Sequence, residues 1–333
     1  MGLFNSLKNK NRINSYFNSA SKFMDDKKYN EALKCYNHIL SLDPGNSAAL
    51  YNKGWILSDL NRLDEALEYY DMFLELKPKD VDGWYGKGNT FNLLGRFDEA
   101  LKCFDEALVF EPNNSNVWLS KGLAFSELGR FDKALVCFDE ALVFEPNNSN
   151  VWLSKGLAFS ELGRFDEALK CYDRFLELKP ENIMGLMNKG FDLRELGRFD
   201  EALECFNKTL KLDSGNTIVL NNKGATLGKM GMHEDAFKCF DKVLKLDFNN
   251  EDAYYNKGLS FIKLDMNIEA LDCLDKSLNI NPDNVDAYFL KGVALSELKS
   301  YDDALKCFDK SLKLDPDNEK VKMVRQELLS KIN

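Results

Sequence analysis

No stretch of this 333-residue chain approaches the eighteen or so consecutive apolar residues of a membrane helix. The opening MGLFNSLKNKNR lacks the apolar run of a secretory signal. The expectation is a cytoplasmic protein with no membrane partner. Histidine is scarce: His38 and His233 stand alone and far apart, so no histidine dyad can form. An excess of positive charge is missing as well. Fifty-four acidic residues against 44 basic ones give a net charge of -10, which repels polyanions and excludes nucleic acid as a partner. With 44% hydrophobic and 29% charged residues, the composition is that of a folded chain.

What the chain has in abundance is repetition. Gly54, Gly88, Gly122, Gly156, Gly190, Gly224, Gly258 and Gly292 recur every 34 residues, and a column of alanines from Ala32 to Ala304 keeps the same step. All seven prolines share one phase, with Ser214 and Phe248 standing where a proline is missing. A fixed period of this length signals stacked supersecondary units. Nine repeats fill residues 13–318, leaving 1–12 and 319–333 outside and no room within this chain for a separate catalytic domain.

In the repeat from Val81 to Asn114, Trp84, Phe91 and Leu94 mark one face of a first helix. Ala100, Leu101, Phe104, Ala107 and Leu108 mark a second helix, Gly95 and Arg96 interrupt the pattern between them, and Pro112 ends it. Each repeat is therefore a helical hairpin, which cannot bury its apolar face alone and must stack on its neighbours. Small residues at Gly88 and Ala100 allow close approach of the two helices.

Trp84, Gly88, Phe91, Gly95, Ala100, Phe104, Ala107 and Pro112 resemble the tetratricopeptide repeat signature, and the match recurs nine times across residues 13–318. The resemblance implies an all-α, right-handed superhelical solenoid of nine helix-turn-helix repeats that binds other proteins. Two departures stand out. Lysine, from Lys53 to Lys291, replaces the usual apolar residue before the glycine and reads as a solvated edge. His233 and Asn267 replace the aromatic at the turn in repeats seven and eight, where softer packing is expected.

The ends complete the domain reading. Val321, Val324, Leu328 and Ile332 fall on one face of a single capping helix over 319–333. Residues 1–12 read as a basic, frayed or disordered start. There, Gly2 and Ser6 also match the M-G-x-x-x-S arrangement of N-myristoylation.

The search for chemistry finds little. Eight cysteines, Cys35, Cys103, Cys137, Cys171, Cys205, Cys239, Cys273 and Cys307, occupy one phase of the second helix. Packed helices lie about 8–10 Å apart, whereas a disulfide needs Cα atoms within about 7 Å. The file therefore reads as small apolar packers rather than bridges or zinc ligands. Acid pairs such as Asp98 and Glu99 recur where second helices begin, as dipole complements and caps rather than acid-base catalysts. Gly83, Gly86 and Gly88 lie within a first helix and match no nucleotide-binding signature. The chain reads as no enzyme, with no cofactor and no metal.

In the resembling family the first helices line a concave wall, and positions 2, 5, 6, 9, 12 and 13 of each repeat face a ligand. Position 6 here supplies Asn18, Asn52, Asn188, Asn222 and Asn256, which resemble an asparagine ladder able to bond the backbone of an extended peptide. The alternative is that these amides merely solvate a helix face. Position 5 adds Tyr51, Tyr85, Tyr255 and Phe289, and position 9 adds Trp55 and Phe191, apolar groups on a wall expected to be wet. Trp84, Trp118 and Trp152, at position 4, are expected in the core. Position 13 is acidic in six repeats, which favours a basic or neutral peptide, and basic at Lys229 and Lys263, where an acidic side chain could dock. Residues 103–132 and 137–166 are identical over thirty positions, so specificity is expected outside this duplicated surface. The expected function is a non-catalytic scaffold holding an extended segment of another protein. Self-assembly into a homo-oligomer is the alternative, and regulation of an enzyme in a complex is a third reading.

Overall fold

Nineteen α-helices and no strand make up the described residues of this computed structural model, which describes the backbone of residues 2–332 and side chains from residue 9 onward. The helices form nine pairs, α1(Gly2–Asp25) with α2(Tyr29–Leu42) through α17(Val285–Glu297) with α18(Tyr301–Leu314), followed by α19(Glu319–Ile332). From the second repeat onward, first helices have 13 residues and second helices 14, as α5(Val81–Leu93) and α6(Phe97–Phe110) illustrate. The chain divides into two compact units, residues 1–174 and 175–333, with the boundary inside α10(Phe165–Leu178).

The first helix begins at Gly2, so residues 2–12 of the segment read as a frayed start are helical in backbone and continuous with repeat one. No Pro or Gly interrupts Leu3 to Asp25, which leaves nothing to stop the helix between them. The side chains of Gly2 to Ser6, on which the lipidation reading rests, lie outside the described residues.

Three local rules repeat along the chain. From the second repeat on, first helices start after an Asn or Asp whose side chain, except at Asn148, accepts the backbone N–H three residues on: Asn46 from Ala49 at 3.1 Å, Asp80 from Gly83 at 3.2 Å, Asn216 from Val219 at 3.0 Å. Second helices lack such a cap, and the acids expected to supply it instead pair with the preceding arginine, as Glu99 does with Arg96 at 2.9 Å and Glu65 with Arg62 at 2.6 Å. Between the two helices of each repeat one residue takes a left-handed conformation. It is glycine in five repeats (Gly95, φ 71°) but Lys27, Asn61, Asp265 and Lys299 in the other four.

The core is a file of side chains from the second helices, among them Tyr70, Phe104, Phe138, Phe206, Phe240 and Phe308, each almost fully buried. The facing glycines set the spacing: a Cβ on Gly88 would stand 2.6 Å from the Phe104 ring. The eight cysteines are all free and buried beside this file. The lysines read as a solvated edge are not one. Lys121 and Lys257 reach back to Asp105 and Asp241 of the preceding repeat at 2.6 and 2.5 Å, and Lys87, Lys155 and Lys291 make the equivalent pair. Their stems lie over aromatic rings, Lys121 at 4.9 Å from the Trp118 centroid. Trp84, Trp118 and Trp152 are half-buried, and each indole N–H donates to the proline carbonyl six residues earlier. The structure therefore spends the lysine column on joining repeats.

Within each unit the first helices of successive repeats touch, α3(Ser47–Asp59) against α5, and α13(Thr217–Lys229) against α15(Glu251–Lys263); among the described residues second helices show no comparable contact. First helices therefore lie on the closer-packed side of each stack. No helix among the described residues is long and apolar enough to cross a membrane.

Candidate partner-binding face

The face toward which this packing directs attention is built from positions 5, 6, 9, 12 and 13 of neighbouring first helices. In the first unit, Tyr51, Trp55, Ser58 and Asp59 of α3 meet Tyr85, Gly86, Asn89 and Leu93 of α5 around a cavity of 210 Å³ floored by Tyr70. In the second unit, Asn221, Asn222, Ala225 and Lys229 of α13 meet Asp252 and Asn256 of α15 and Arg194 of α11(Ile183–Glu195) around 310 Å³. A smaller cavity of 130 Å³ adjoins it, where Lys229, Asn256 and Lys263 surround His233 and Ser260. The duplicated repeats also enclose space: Leu123, Glu127, Ser154, Leu157 and Glu161 border 350 Å³.

The structure thus brings Tyr51, Trp55 and Tyr85 together, and separately Asn222, Asn256, Lys229 and Lys263. Asn18, Asn52 and Asn188 border none of these cavities. The asparagines are not uniformly free. The Asn52 amide donates to the Ala48 carbonyl at 2.7 Å and that of Asn222 to the Ile218 carbonyl at 2.8 Å, each along its own helix. The Asn222 side-chain oxygen also accepts from Arg194, whose other nitrogens hold Glu195 at 2.8 and 3.1 Å. At Asn52 and Asn222 the carbonyl one turn back thus takes one amide hydrogen.

The aromatic expectations divide. Trp55 is 40% exposed, the one large ring of the set open to solvent. Tyr51, Tyr85, Phe191 and Tyr255 are half-buried, with Phe191 turned onto Phe206 at 5.8 Å between centroids. Phe289 corrects the reading of an exposed wall residue. It is only 6% exposed, because α19 closes over the last repeat and Lys320 lies 4.5 Å from its ring centroid. Burial, with Asp286 and Glu251 nearby, pushes the Tyr255 phenol up to about 12.

Three residues of the second-unit cavity escaped the sequence reading. Asn221 is the single polar residue in a column otherwise Phe, Tyr, Leu or Met, Arg194 is the single cation at position 12, and Asp252 supplies position 2. Comparing columns for the odd member would have found the first two. Asn221 is 7% exposed; its amide donates to the Asn250 cap at 3.5 Å, and its oxygen has no hydrogen-bond partner among the described residues.

Against known proteins, residues 81–114, 115–148, 149–182, 183–216 and 285–318 match one family model described as Tetratricopeptide repeat. Two further models with the same description match 23–89, and 218–250 with 251–284. No curated protein matches the chain. Among solved structures, a chain of the APC/C hetero-tetramer Cut9–Hcn1 aligns with a TM-score of 0.57 at 18% identity. That alignment covers 90% of this chain and 59% of the other, so the present chain spans less than two thirds of it. A tetratricopeptide repeat protein from Parabacteroides merdae ATCC 43184 aligns with a TM-score of 0.56 at 18% identity, over 75% of this chain and 99% of that one. At such identities the likeness concerns the fold.

Proposed function

Because the chain belongs to the tetratricopeptide repeat family and is a protein-interaction scaffold, we propose that it acts without catalysis, holding an extended segment of a partner protein along its first-helix face. One observation carries this reading: equivalent positions of consecutive first helices converge on shared cavities, so recognition groups recur at the repeat spacing rather than at a single point. An extended backbone presents its N–H and C=O groups along its length, and a carboxamide matches either. Asn222 and Asn256 supply two such amides at one cavity. The bonds that Asn52 and Asn222 make to their own helices leave a second amide hydrogen available to a ligand.

The test is capture from native lysate by wild type and by a chain carrying Asn188→Ala, Asn222→Ala and Asn256→Ala, both checked for helicity by circular dichroism. A partner held by the wild type and lost from the variant supports the reading. Equal recovery would move binding to another face and leave the asparagines as solvated surface.

A further inference from the structure

The cavity between α3 and α5 differs from the others in joining four aromatic rings, Tyr51, Trp55, Tyr70 and Tyr85, to a carboxylate, Asp59. Tyr51 is fixed by an edge contact to Tyr70 at 6.0 Å and by Phe73 at 5.4 Å, and Tyr85 rests on Phe104 at 6.3 Å. Trp55 meets the edge of Tyr29 at 6.0 Å. Packing therefore sets these rings before any ligand arrives. The Tyr29 phenol is raised by partial burial and by the Asp59 carboxylate nearby. Asp59 has no cationic partner among the described residues, in contrast to Asp71 and Asp105. Gly86 keeps the floor open: a Cβ there would lie 2.7 Å from the hydroxyl end of the Tyr70 ring. No lysine or arginine occupies positions 2, 5, 6, 9, 12 or 13 in the first five repeats, whereas Asp25, Asp59, Asp82, Glu127 and Glu161 do.

Ring faces carry negative potential and attract a cation most strongly where water is displaced. A carboxylate held beside them adds charge pairing at the rim. We propose that this cavity receives one cationic side chain, lysine or arginine, of the bound segment, its methylenes against Tyr51, Trp55 and Tyr85 and its charge toward Asp59. The proposal rests on the scaffold reading for its biological setting and can be tested without the partner.

Labelled with 5-fluorotryptophan, the full chain carries four fluorines, and Trp55→Phe identifies the line of Trp55. N-acetyl-lysine methylamide and its arginine counterpart are expected to shift that line saturably. N-acetyl-norleucine methylamide, which keeps the four-carbon stem of lysine without its ammonium, should bind about five- to thirtyfold more weakly. Asp59→Asn should lower the affinity for both cations severalfold. So should Leu93→Lys, which adds a charge at an exposed rim residue without touching the core. Equal binding of the norleucine amide, no response to any of the three, or indifference to both substitutions overturns the proposal. A negative result here leaves partner capture through Asn222 and Asn256 unaffected, and failure of that capture leaves the cation titration unaffected.

Discussion

Gly54, Gly122 and Gly258 occupy the same column of the repeat, yet alanine should affect them differently. In a helix interior alanine is favoured over glycine by about 1 kcal/mol. Against that gain stands the space each Cβ would enter. At Gly54 the nearest atoms are the Tyr70 ring at 3.3 Å, at Gly258 they are Leu274 at 3.0 and 3.2 Å, and at Gly122 they are the Phe138 ring at 2.5, 2.8 and 3.1 Å. Phe138 is fully buried and cannot swing away into solvent. Overpacking of this kind costs about 1–3 kcal/mol, and a 2.5 Å approach belongs near the upper limit. Gly122→Ala is therefore expected to lose about 2 kcal/mol, after the helix gain is deducted. Gly258→Ala should be near neutral and Gly54→Ala neutral to stabilising.

Long repeat arrays lose all-or-none unfolding, so the effect should be read locally, by amide hydrogen exchange in α7(Ser115–Glu127) and α8(Phe131–Phe144). A loss of 2 kcal/mol corresponds to about thirtyfold faster exchange through local opening. Adding Phe138→Leu to Gly122→Ala should restore part of the protection, since it recreates the near-neutral pairing expected of Gly258→Ala with Leu274. If Gly122→Ala instead gained protection as Gly54→Ala does, the close-approach argument would be wrong.

Other expectations follow from features that recur along the chain. Lys299 holds φ at 62°, so Lys299→Gly should raise thermal stability by about 1 kcal/mol, while the same change at half-buried Lys310, within α18, should lower it. Burial raises the Cys103, Cys137 and Cys171 thiols to about 11 from the ordinary 9.0. A folded-state pKa above the unfolded one means their contribution is complete below about pH 9 and is lost as pH rises through about 11. Cys137→Ala should accordingly flatten the fall in urea midpoint over that interval. The pair between Lys121 and Asp105 spans two repeats with the aspartate exposed, so Asp105→Ala should cost no more than about 1 kcal/mol, and 1 M salt should shrink the difference from wild type.

How far the sequence reaches can be judged column by column. The 34-residue period, the two helices, the buried cysteines and the capping helix follow from sequence alone, because each is a pattern recurring in eight or nine repeats or a single apolar stripe, and periodicity needs no knowledge of neighbours. The lysine column was misread for the opposite reason. A lysine before a glycine looks solvated until the aspartate sixteen residues earlier is seen to stand against it, as in Lys121 and Asp105. Phe289 was assigned to an exposed wall because its repeat looks like the others; only the position of α19 buries it.

The candidate site shows the same division. Sequence supplied Tyr51, Trp55, Tyr85, Asn222, Asn256 and Lys229 as members of columns, but not which of them share a cavity. Asn221 and Arg194 belong to a site only because α11, α13 and α15 bring positions 12, 5 and 6 of three repeats together. Hydrogen-bond partners of the asparagines were likewise invisible, since an amide can turn to its own helix or to a ligand with no change of sequence. Periodicity determined the kind of unit and its number, because local apolar spacing fixes each helical hairpin. Tertiary stacking decided which surfaces remain available, because burial and ion pairing depend on distances between repeats that no single repeat encodes.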